Sequence, residues 1–126
     1  SYAGLTALSL AKKSASHQDW PQVEKYLITA IESSKDEGIK AIATLRLARV
    51  QIQLDKVDAA LTTLSAPLPS SFKSAIEEIK GDAYLLQDKK DLARTSYQDA
   101  IAATAGAASQ SLQMKLDDLA ENIILN

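Results

Sequence analysis

Few residues in this chain have the types and spacing that chemistry requires. The only histidine, His17, lies close to Ser14, Ser16 and Asp19, the residue types of a nucleophilic triad. A triad needs a base aligned by a third group brought from elsewhere in the fold. Polar residues this close together, between two helical patterns, make a turn instead, so His17 is expected to be an exposed turn residue. Paired acids occur at Asp36-Glu37, Glu77-Glu78 and Asp117-Asp118. Neighbours on a helix point about 100° apart, so such pairs do not converge on one atom. Nothing gathers the several oxygens or imidazoles of a metal site, and no metal or other cofactor is expected. The four glycines are isolated, which leaves no phosphate-binding loop, and the absence of cysteine removes thiolate catalysis, disulfides and cysteine-based zinc sites. Neither an enzyme nor a small-molecule substrate is indicated. What remains is Arg46 and Arg49, three apart on one helical face, where they could bind a carboxylate or pair with acids of a neighbouring hairpin such as Glu78 or Asp82. The single tryptophan, Trp20, could anchor a partner but is read as the large packing residue that opens a helix.

The elements that position these residues are helices. The chain has 126 residues, 46% hydrophobic and 24% charged, enough for one domain with a core of its own. A net charge of −2 does not point to nucleic acid or an anionic membrane as partner. The densest cationic spots are only Lys12-Lys13 and Lys89-Lys90. No apolar run approaches the ~18 residues of a bilayer span, and no signal peptide is present. The chain opens on Ser1-Tyr2-Ala3, already in helical pattern, and is read as a fragment of a longer protein. Strand signals are nearly absent, while Ala, Leu, Lys, Gln and Glu are abundant.

Seven helices are expected. The first covers about residues 2–16. The second follows the N-cap Asp19, with Pro21 in its first turn, and runs to about Ser33. The third begins at a capping box, Ser34 with Glu37, and ends at Leu54. The fourth, about 56–65, stops before Pro67 and Pro69. Ser70 or Ser71 is expected to cap the fifth, which reaches about Gln87. The sixth covers about 89–104, and Gly106 marks a break before the seventh, about 108–125.

These helices repeat. Ala11, Ala48 and Gly81 are spaced by 37 and 33 residues, and so are Val23, Ala60 and Ala93, and again Leu27, Leu64 and Tyr97. A period near ~34, with a small residue in each helix of a pair followed by a large one, is the pattern of tetratricopeptide (TPR) hairpins. Close helix crossing demands the small residues. The expected architecture is therefore an all-α, TPR-like, right-handed stack of three hairpins, about 2–33, 34–65 and 70–104, plus a capping helix at about 108–125. Within the third helix, Ala41, Leu45, Ala48 and Ile52 form one apolar stripe and Leu47, Val50 and Leu54 a second, as an interior helix requires. The last helix has one stripe, Leu112, Leu116, Leu119 and Ile123, and a wet face carrying Lys115, Asp118 and Asn122.

Grooves in such arrays are lined by the first helix of each hairpin. The register puts Leu5, Leu8 and Lys12, then Ile42, Leu45, Arg46, Arg49 and Gln53, then Glu78, Asp82 and Leu85 on the candidate protein-binding face. Some TPR domains clamp a C-terminal carboxylate with Lys and Asn. The corresponding positions here are Leu8, Lys12, Arg49 and Asp82, without the Asn, so that clamp is not expected. A mixed apolar and charged groove suits an extended or helical peptide.

The stretch Lys40–Leu64, KAIATLRLARVQIQLDKVDAALTTL, resembles the central repeat of the YfgM family. The likeness continues through Gly81–Ile101 and ends in Leu112–Leu119, LQMKLDDL, covering most of the chain. Members of that family are inner-membrane proteins with one transmembrane helix and a periplasmic TPR domain. They are ancillary subunits of the SecYEG translocon and partners of the membrane-anchored periplasmic chaperone PpiD. The resemblance implies a periplasmic scaffold, anchored through a segment upstream of this one. The alternative is a cytosolic TPR adaptor for a peptide motif, distinguished by the lack of an upstream span. Self-association through Ile123-Ile124-Leu125 is a further expectation.

Overall fold

The computed structural model describes the backbone of residues 2–104 and 109–125, and the side chains of residues 3–104 and 109–120. The described residues form seven α-helices and no strand: α1 (Tyr2–Ser16), α2 (Trp20–Ser33), α3 (Glu37–Gln53), α4 (Val57–Thr63), α5 (Lys73–Leu86), α6 (Lys90–Ala102) and α7 (Gln110–Leu125), with a 3-10 turn at Ser70–Phe72. The expected break at Gly106, the helix start at Ala108 and the side chains of Asn122, Ile123, Ile124 and Leu125 lie outside the described residues. Two compact units result, Ser1–Pro69 and Ser70–Asn126.

In the first unit α1 packs on α2, α2 on α3 and α3 on α4, and α1 also touches α3 directly. Its core is Ala7, Ala11, Val23, Leu27, Ala30, Ala43, Leu47 and Val50, with Trp20, Tyr26 and Leu54 packed against it. Trp20 is thus a packing residue, and His17 is an exposed turn residue. One polar link joins the two hairpins of this unit, and a second closes the α3–α4 hairpin. Lys56 donates to Glu24 at 2.7 Å, and the Thr63 hydroxyl donates to the buried Gln51 side chain at 2.6 Å. In the second unit α5 pairs with α6, and α6 with α7. Its core is Ala93, Tyr97, Ala100, Leu112 and Leu119.

All nine register residues are buried: Ala11, Ala48 and Gly81; Val23, Ala60 and Ala93; Leu27, Leu64 and Tyr97. Gly81 is obligatory in a direct way, because a Cβ there would clash with the ring of Tyr97, meeting Cε1, Cδ1 and, at 2.8 Å, Cζ. Tyr97 therefore fills space within its own hairpin as well as toward α7. The same demand recurs at Gly4, where a Cβ would sit 2.9 Å from that of Ser34.

The three hairpin turns share one backbone solution. Gln18, Asp55 and Asp88 have φ of 58°, 61° and 59°, at the same spacings of 37 and 33. In each turn the next residue donates to a carbonyl five residues back: Asp19 to Ser14 at 3.0 Å, Lys56 to Gln51 at 2.7 Å and Lys89 to Tyr84 at 2.9 Å. The left-handed residue itself donates three back, to Ala15, Ile52 and Leu85. This is the Schellman arrangement that closes a helix with one left-handed residue.

Two expected caps are corrected. Ser34 does not open α3. It closes α2, and its hydroxyl accepts from the Asp36 N–H at 3.1 Å. Asp36 is the cap of α3 and accepts from the Ile39 N–H at 3.0 Å, because a carboxylate two residues later offers the same reach to the first free N–H groups with a favourable charge. Neither Ser70 nor Ser71 caps α5. Both enter the 3-10 turn, and Phe72 precedes the helix without a side-chain cap.

Replacing Gly81 by Leu is predicted to cost roughly 1–3 kcal/mol through overpacking against Tyr97, read as a lower midpoint in urea. An unchanged midpoint would contradict this hairpin crossing.

Candidate functional site

The candidate site lies in the first unit. A cleft of about 230 Å³ is lined by Ala11, Lys12 and Ala15 of α1, Val23 and Leu27 of α2, and Arg46, Arg49 and Val50 of α3. The small residues that let α1 and α2 cross closely leave this space open. Ala11 and Ala15 stand one turn apart on α1, so no long side chain fills the gap between α1 and α3. The lining is apolar except for Lys12, Arg46 and Arg49, which are exposed. Their stems cover the apolar floor while their charged heads stay in water.

Among the described residues, none of these three cations forms an ion pair. The local sequence explains why. α1 contains no acid, and the only acid of α3, Glu37, is nine residues from Arg46 and twelve from Arg49, beyond the three- or four-residue spacing at which side chains on a helix meet. Arg46 and Arg49 are like charges at a spacing that is unfavourable by about 0.2–0.5 kcal/mol on an isolated helix. The fold accepts this repulsion without an internal counter-charge.

The second unit uses its charges differently. Lys115 of α7 donates to Glu78 at 2.8 Å and to Asp82 at 3.1 Å, both on α5. The Tyr97 hydroxyl of α6 donates to the other Asp82 oxygen at 2.6 Å. One small network thus joins three helices. The expected wet-face position of Lys115 is corrected: it is half-buried and turned onto the acids. Burial lowers the pKa of its ammonium, but hydrogen bonds and charge from Glu78 and Asp82 outweigh that and raise it. Burial, then the hydrogen bond to Asp82, pushes the Tyr97 phenol far above the tyrosine range.

The candidate groove residues therefore separate. Lys12, Arg46 and Arg49 meet at the cleft. Leu5, Ile42 and Gln53 are exposed on α1 and α3 but do not line it, and Leu8 and Leu45 are half-buried, with Leu8 packed against the core. Glu78 and Asp82 are engaged by Lys115 and Tyr97 within their own unit, and Leu85 is exposed at the end of α5. Sequence reasoning did not single out Ala15, and it placed Lys115 on a wet face without its partners. The Ala11–Ala15 spacing could have indicated the first; nothing local indicates the second, which is paired across 37 and 33 residues. Among the described residues no cluster of three metal-ligating side chains occurs, and no helix is long and apolar enough to cross a membrane.

Both pKa shifts are upward. Their stabilisation is complete below the unfolded-chain values of 10.0 for Tyr97 and 10.5 for Lys115, and is lost as pH rises through the folded values. The melting temperature is predicted to fall on raising the pH from 9 toward about 11, and to fall less in Tyr97→Phe/Lys115→Met. Equal losses, followed by circular dichroism, would show that the network does not hold α7.

Residues 1–121 match a family model described as a tetratricopeptide repeat-like domain. The chain is 34% identical over 119 residues to a protein named ancillary SecYEG translocon subunit from Aggregatibacter actinomycetemcomitans, covering 94% of this chain and 58% of that protein. The Escherichia coli K12 protein of the same name is 31% identical over the same shares. That of Neisseria gonorrhoeae is 36% identical over 104 residues, 81% of this chain and 50% of the relative. The family resemblance read from Lys40–Leu64 is matched by these relatives. The chain spans little more than half the length of the curated relatives it matches.

Proposed function

Because this chain belongs to the tetratricopeptide repeat-like domain family, we propose that it is a non-enzymatic protein-binding module whose docking site is the cleft between α1 and α3. The observation that carries this reading is the cleft itself: an apolar floor under three cations that have no counter-charge in the described structure. A buried apolar contact supplies affinity, and a charged rim selects the partner and its orientation.

The relatives named for the SecYEG translocon support a finer reading. In it, the module is one domain of a longer protein held at the inner membrane by an upstream anchor. The domain lies in the periplasm and serves assembly at the translocon, with a PpiD-like chaperone as the second partner that the family resemblance implies.

A photoreactive residue placed at Lys12 or Arg49 of the full-length protein tests the reading in intact cells. Discrete crosslinked adducts are expected from both positions and not from Glu32 on α2. Adducts from Glu32 with none from Lys12 or Arg49 would move the docking face elsewhere.

A further inference from the structure

The proposed docking site has a composition that selects its occupant, and the inference below rests on that reading. We propose that the cleft receives an internal peptide segment of a partner protein in which a bulky apolar side chain is flanked by acidic residues.

Size comes first. At about 230 Å³, the cleft is below the roughly 300–1,000 Å³ of small-molecule and cofactor sites. It suits one large aliphatic or aromatic side chain, set down on Ala11, Ala15, Val23, Leu27 and Val50.

Charge comes second. α1 and α3 together carry five Lys or Arg (Lys12, Lys13, Lys40, Arg46 and Arg49) and one acid, Glu37. The whole chain is net negative, so this pair of helices is a local inversion. The cations reach the cleft from two elements, Lys12 from α1 and the arginines from α3. One carboxylate cannot satisfy a rim built from both helices, whereas acids on both sides of an inserted side chain can. A planar guanidinium takes a carboxylate in a two-pronged contact, and the apolar residue between the acids removes water from those contacts, which strengthens them. A phosphate chain would match the cations but would leave the apolar floor empty.

Titration of the isotope-labelled 126-residue chain, followed by amide NMR, tests this. Four peptides are compared, three of them blocked at both ends: acid–Leu–acid, the same with lysine for each acid, and the same with alanine for leucine. The fourth is acid–Leu–acid with a free C-terminus directly after the leucine. Saturable shifts in α1 and α3 are expected with the blocked acid–Leu–acid peptide, at least tenfold tighter than with the lysine or alanine forms. Binding should weaken as salt is raised. In Arg46→Glu/Arg49→Glu the preference should reverse toward the lysine peptide, a gain that simple damage to the fold cannot produce. If that variant melts early, Arg49→Gln with the wild-type comparison suffices: at least a threefold loss for the acidic peptide and none for the lysine peptide.

Equal binding of acidic and lysine peptides, or no shifts with any peptide, would overturn the proposal. Binding of the free C-terminal form alone would assign the cleft to a terminal carboxylate. Self-association that protects α1 and α3 and disappears in the charge-reversed variant would assign it to a second copy. Crosslinks from Lys12 and Arg49 in cells, together with any of these results, would leave the docking reading standing and remove only the acid–apolar ligand.

Discussion

The close crossing of two helices within each hairpin is the constraint from which the rest follows. Ala11, Ala48 and Gly81 of the first helices and Val23, Ala60 and Ala93 of the second are all buried. Larger residues at these places would push the helices apart and forfeit close-packed contacts on every side. The turn is part of the same constraint. A left-handed residue at Gln18, Asp55 or Asp88 reverses the chain in the fewest residues, so the second helix begins already against the first. Left-handed backbone costs an L residue roughly 1–2 kcal/mol, and this is recovered from the two carbonyls satisfied in each turn and the apolar area that the hairpin buries.

Small residues have a second consequence on α1. Ala11 and Ala15, one turn apart, both line the cleft, where their small side chains leave room between α1 and α3. A residue type chosen by packing thus creates the concavity, and residues free of packing, Lys12, Arg46 and Arg49, determine what it attracts. The second unit makes the opposite use of charge. Lys115, Glu78, Asp82 and Tyr97 satisfy one another and hold α7 to the α5–α6 hairpin. The cleft leaves its three cations open to solvent, whereas this network consumes its charges internally.

Much of this was legible in the sequence, because the repeat is a packing rule written at fixed spacing. The register residues, the helix count and the exposed row Arg46, Arg49 and Gln53 follow from periodicity alone. The left-handed turns were not legible: glycine usually announces such a position, and here Gln and Asp occupy it. The capping of α3 was misplaced by two residues because Ser34 and Asp36 are both good caps, and only the backbone path decides between them. The fate of Glu78 and Asp82 depended on Lys115, a partner from a different helix more than thirty residues away, which no local pattern encodes. The cleft was half visible: its cations stood out by type and spacing, and its floor was read only as core.

The central claim is that the α1–α3 cleft of the first unit, and not the charged network of the second, is where a partner docks. Amide hydrogen exchange of the full-length protein, with and without its bound partner, tests this most directly. Partner binding should slow exchange in α1 and α3, over residues 8–15 and 42–50, while leaving α6 and α7 unchanged. Protection confined to α6 and α7, with α1 and α3 exchanging as in the free protein, would contradict it.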